Sequence, residues 1–103
     1  MTFNEAYSLM EQGKAVSLPE LLDENIFYYL SGGFEITRDK VTNPALYDYY
    51  HNNPKYKHSL NTTILIHPHI DMKDPRGCLV IGAYISEEDK ARNDWLEFDT
   101  KNE

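Results

Sequence analysis

Histidine, aspartate and arginine residues gather in the second half of the chain, where chemistry is most readily sought. His67, His69 and Asp71 alternate along a strand-like stretch, so a regular pleat would put all three on one face at a spacing that suits a metal cluster. Pro68 disturbs that pleat, and no outlying His or Cys is obviously aimed at the group. A polar role fits these residues better: His69 can donate and accept hydrogen bonds in a sheet or at a ligand, and Asp71 can accept from backbone N–H groups in the turn that follows. Cys78, the serines, His51 and His58 lie in no recognised nucleophile motif. With 17 acidic residues, carboxylate pairs arise by chance and point to no acid–base machinery. Arg76 and Arg92 are the leading cationic candidates for an anionic ligand. Tyr47, Tyr49, Tyr50 and Tyr56, interleaved with Lys55 and Lys57, could stack on bases and meet phosphate.

These residues need elements to carry them. Thr2 with Glu5 is a capping-box pattern, and Phe3, Ala6, Tyr7, Leu9 and Met10 recur at helical spacing, predicting a helix over 3–12 ended by Gly13. Lys14 to Val16 reads as a short strand, residues 17–24 as an irregular loop, and Ile26 to Leu30 as a strand. Ser31, Gly32 and Gly33 turn the chain so that Phe34 to Thr37 pairs back as a hairpin. Residues 39–59 read as an insertion, with a short helix opened by Pro44. Leu60 to Ile66 has the β-branched density of a strand. After Pro68, Ile70 to Met72 continues as an edge strand or begins a new one, residues 74–77 form a turn, and Cys78 to Ile85 the longest strand, with Cys78 buried. Ser86 caps a short acidic helix over Glu87 to Arg92, Trp95 plugs the core, and Leu96 and Phe98 belong to a closing strand. The expectation is one α+β domain over residues 1–103: an N-terminal helix on a small antiparallel sheet, the insertion at 39–59, and a short C-terminal helix before the last strand.

A net charge of -7 disfavours long nucleic acid and anionic membranes, and leaves room for a small anionic ligand met by a few aimed donors. One cysteine permits neither an intrachain disulfide nor a thiolate metal cluster. No apolar run approaches the ~20 residues of a spanning helix, and no basic-then-apolar leader is present, so a cytoplasmic location is expected. Eight tyrosines suit subunit interfaces and planar ligands.

Thr2-Phe3-Asn4-Glu5-Ala6 followed by Gly13-Lys14 and Val16, then Pro68-His69-Ile70-Asp71-Met72-Lys73, and finally Ser86, Asp89 and Asp94-Trp95, fall in the order of a known family. In these segments the chain resembles the second type of Thoeris anti-defence protein, the phage sponges. The resemblance implies a small α+β homotetramer that binds cyclic ADP-ribose-type or cyclic oligonucleotide immune signals in the host cytoplasm. It implies sequestration without cleavage, needing no cofactor and no metal. Two departures stand out: Ser17, Leu18, Glu20 and Leu21 replace basic residues and a Gly-Trp pair, and Ala83 replaces a tryptophan. Phe27 and Tyr28 could supply replacement stacking. The ligand-binding candidates are then Phe27, Tyr28, His69, Asp71, Arg76, Ser86, Asp89 and Arg92, with no catalytic residue among them.

Two other classes stay open. A protein-interaction module that inhibits a host protein suits the acidity and tyrosine richness. An enzyme acting on a nucleotide signal through His69 and Asp71 would show turnover.

Overall fold

The computed structural model describes residues 1–58 and 62–101. The architecture is α+β, with an N-terminal helix, a five-stranded antiparallel sheet and a separate two-stranded sheet. The chain divides into two compact units, one formed by residues 1–31 with 69 onward, the other by residues 32–68.

In the first unit α1 runs Phe3–Glu11. The Thr2 hydroxyl accepts the Glu5 N–H and the Glu5 carboxylate accepts the Thr2 N–H at 2.9 Å, so two orphan donors of the first turn are satisfied reciprocally. Hydrogen bonds from Thr2, its backbone N–H foremost, hold the Glu5 carboxyl below its ordinary range. At the other end Gly13 adopts φ +84°, and the Gly13 and Lys14 N–H groups donate to the Met10 and Leu9 carbonyls, a Schellman closure that turns the chain into β1, Ala15–Ser17. A four-residue helix, α2 (Pro19–Leu22), follows where irregular chain is expected, because Pro19 presets the first-turn dihedral. Then come β2 (Phe27–Ser31), β5 (His69–Lys73), β6 (Leu79–Val80), α4 (Glu87–Lys90) and β7 (Leu96–Phe98). The strand order is β6-β5-β2-β1-β7.

Register assigns the two faces of this sheet. Tyr28 pairs with Met72 and Val16, and Leu30 with Ile70; these residues share the face on which α1 packs, where Ala6, Met10, Val16, Tyr28, Ile85 and Trp95 form the core with Leu18. Trp95 is fully buried, its ring 5.3 Å from Phe3 and 5.9 Å from Tyr28, and its Nε1–H donates to the Asp89 carbonyl at 2.9 Å. The indole thus joins the core to the C-terminal helix, as a core plug should.

In the second unit β3 (Phe34–Thr37) pairs antiparallel with β4 (Thr63–Ile66), and α3 (Pro44–Asn52) lies between them in sequence. The Asn43 side chain accepts the Ala45 and Leu46 N–H groups, which together with Pro44 starts α3. Arg38 is buried, and its Nη1 donates to the Tyr50 and Tyr56 carbonyls at 3.2 and 2.7 Å, tying the end of α3 and the following turn to the end of β3.

Several expectations are corrected. Phe34 to Thr37 does not pair back on β2, because its partner is β4. Of the two alternatives for Ile70 to Met72 the new strand holds, since β5 is separate from β4, whereas the edge position does not: β5 is flanked by β2 and β6. Cys78 to Ile85 is not one long strand: only Leu79 and Val80 are in the ladder. Met72 opposite Val80 would put Gly82 opposite Ile70, yet the Ala83 N–H donates to the Ile70 carbonyl, so an extra residue bulges at Ile81–Gly82. Cys78 is exposed, since it closes the turn between β5 and the edge strand β6. The C-terminal helix stops at Lys90. Residues 59–61, with the start of the predicted 60–66 strand, and residues 102–103 lie outside the described residues.

Candidate functional site

The face of the five-stranded sheet opposite α1 brings chemistry-bearing side chains into one row. Across β2 and β5 the directly opposed pairs are Phe27 with Lys73, Tyr29 with Asp71, and Ser31 with His69, and all six side chains share that face. Phe27 lies 6.1 Å from Tyr29 and 4.6 Å from Phe98, and the Lys73 ammonium stands 5.9 Å from the Phe27 ring. Lys73 also donates to the Asn25 carbonyl at 2.8 Å, which fixes its reach. Burial, and then the Asp71 carboxylate, raise the Tyr29 phenol above its ordinary range and keep it a neutral donor at physiological pH.

Asp71 anchors the row. Its side chain is almost wholly buried; one oxygen accepts the Gly82 N–H at 2.9 Å and lies 3.3 Å from His69 Nε2. The expected turn contact belongs instead to Asp74, which accepts the Arg76 and Cys78 N–H groups at 2.9 and 2.8 Å and is held below its ordinary pKa chiefly by the Cys78 bond. His67 lies outside the strand, so alternation does not carry it onto the face of His69 and Asp71. Among the described residues no group of three or more His, Cys, Asp and Glu side chains is placed to hold a metal ion.

The structure gathers Phe27, His69 and Asp71 in this row and places the other five candidates elsewhere. Tyr28 faces the core, where burial raises its pKa. The Arg76 side chain is exposed and 3.4 Å from Asp74. The Ser86 hydroxyl accepts the Asp89 N–H as the cap of α4, and the Asp89 carbonyl holds Trp95. Arg92 is engaged by both Glu20 oxygens and both Asp94 oxygens; its pKa is raised by Glu20 first and Asp94 second, while Arg92 lowers both carboxyls. Its planar fork pins α2 to the approach of β7. Tyr29, Ser31 and Lys73 are site residues that the candidate set lacks; what puts them on this face is the β2–β5 register, a long-range pairing that no local sequence signal carries.

Two aromatic rings, a lysine, a histidine and a hydroxyl suit a ligand that combines a planar base with ribose and phosphate. No helix among the described residues is long and apolar enough to cross a membrane. No family model and no curated protein matches the sequence significantly.

Proposed function

We propose that this protein sequesters a cyclic ADP-ribose-type or cyclic oligonucleotide immune signal, holding it intact in the host cytoplasm as a homotetramer and so blocking bacterial anti-phage defence. The observation that carries the reading is the row on the sheet face opposite α1: Phe27 and Tyr29 for the base, Lys73 and His69 for phosphate, and Ser31 for a hydroxyl. The segments that resemble the sponge family support it, because Pro68 to Lys73 supplies β5 and hence His69, Asp71 and Lys73. Sequestration needs slow release rather than transition-state stabilisation, so stacking and aimed donors suffice.

A hydrolytic reading has one feature in its favour, since Ser31 opposes His69 and His69 meets Asp71. The same three groups would equally hold ribose and phosphate. Calorimetric titration with cyclic ADP-ribose isomers and with cyclic di- and trinucleotides, followed by chromatography of the recovered ligand, separates the readings. Saturable binding with full recovery of unchanged ligand is expected. Product accumulating beyond one equivalent per subunit would make the protein an enzyme.

A further inference from the structure

Within residues 32–68 the β3–β4 ribbon and α3 line a cavity of about 280 Å³. Register builds one wall: Ile36 pairs with Ile64, and Ile66, two positions on, shares their face of the ribbon, each of the three half-buried. Leu46 and Tyr50, one turn apart on α3, supply another wall, and Val41, almost fully buried, adds a third apolar side. Leu46 is 51% exposed, so the cavity opens to solvent on its side.

Size selects a small molecule. At about 30 Å³ per water-sized group the cavity takes about nine such groups, the bulk of an eight-carbon chain with a small head. A pocket this apolar binds by burying an apolar body and orients it with a few polar groups.

Charge selects the head. Among the residues that line the cavity Lys40 alone is charged. Its neighbour Asp39 is not among them, and that carboxyl is engaged first by Thr37, with Lys40 a lesser influence. Residues 32–68 hold three of the chain's 17 acidic residues and four of its ten basic ones, so this unit carries +1 against -8 for the rest of the chain. An anion that most of the protein repels therefore meets no such barrier here. The apolar stem of Lys40 suits the aliphatic wall, and its ammonium suits the open mouth.

We propose that this cavity is a second ligand site, taking a small amphipathic carboxylate with its chain against Ile36, Ile64, Ile66 and Leu46 and its head on Lys40. The site is independent of the row on the five-stranded sheet.

The test titrates octanoate and 1-octanol into the full chain and reads the isoleucine methyl NMR signals. Octanoate is expected to bind saturably and to shift Ile36, Ile64 and Ile66, leaving Ile26, Ile70 and Ile85 in place. Lys40→Met, which keeps the apolar stem, should weaken octanoate about two- to fivefold, the scale of one exposed ion pair, and leave octanol unchanged. Leu46→Trp, made at a half-exposed position where the fold has room for it, should fill the mouth and abolish binding of both. No saturable octanoate binding by about 10 mM overturns the site. An octanoate affinity that Lys40→Met leaves unaltered also overturns it, because the cavity is then only an apolar gap. Signals of Ile36 and Ile64 that move with protein concentration and not with octanoate overturn it in favour of a second copy as the occupant. Titration of cyclic nucleotides into the same samples judges sequestration separately, since that row lies on the other sheet.

Discussion

The Asp71 carboxylate and the Gly82 N–H meet at 2.9 Å, and this one bond joins the candidate ligand row to the bulge in the sheet edge. Asp71 is almost wholly buried, whereas Gly82 lies at the exposed edge, so the bond sits at the border of the core. Asp71→Ala should lower unfolding free energy by about 0.5–1.5 kcal/mol, the net worth of one hydrogen bond. Asp71→Asn, which keeps an acceptor oxygen, should cost less than half as much. Urea denaturation of the two variants measures the difference.

Arg92 predicts an acid-sensitive clamp. Glu20 and Asp94 both titrate below their ordinary values of 4.5 and 3.8 in the folded chain because Arg92 bonds them. Their contribution is therefore complete above about pH 4.5 and is lost as the pH falls through the lowered folded values. Arg92→Gln should destabilise at neutral pH, and the gap to the native chain should narrow steadily below about pH 4.5. Thermal melts from pH 7 down to acid follow that gap.

Trp95 should tolerate little. Trp95→Ala opens the centre of the core and should cost about 3–5 kcal/mol, a large part of the total stability of a domain this size. Trp95→Phe keeps most of the packing and loses the bond to the Asp89 carbonyl, so a smaller drop in melting temperature is expected.

Adjacent tyrosines should separate binding from stability. Tyr29→Ala should weaken ligand binding by about 5–150-fold, the range of one lost base stack, with little change in melting temperature. Tyr28→Ala should instead destabilise the chain, because that ring packs on Trp95 in the core. Calorimetry and thermal denaturation run on both variants distinguish the two faces of β2.

What the sequence made legible is what is local. Thr2 and Glu5 cap α1, Gly13 ends it, Asn43 and Pro44 start α3, and Ser86 starts α4, each through bonds within a few residues. What stayed hidden depends on distant partners. Phe34 to Thr37 finds its mate in Thr63 to Ile66, and no nearby residue signals that choice over β2. Arg92 looks like a cation available to a ligand until Glu20, 72 positions away, is seen to hold it. The apolar residues of 78–85 suggest a buried strand, and only the structure reveals that Leu79 and Val80 lie on the sheet edge while Ile85, past a turn, enters the core. Within Ile26 to Leu30 every residue but Asn25's neighbour Ile26 and Tyr28 is half-buried, and the run is apolar throughout, so its alternation does not tell Tyr28 from Tyr29.

The central claim is that the protein holds a cyclic nucleotide signal without altering it. Native mass spectrometry of the full chain, after incubation with extracts of cells whose Thoeris or cyclic-oligonucleotide sensors have been triggered, tests this most directly. The account predicts an oligomer carrying a cyclic nucleotide whose mass is unchanged when the protein is denatured and the ligand released. An oligomer that stays empty across all such extracts, or one that releases a linearised product, would contradict it.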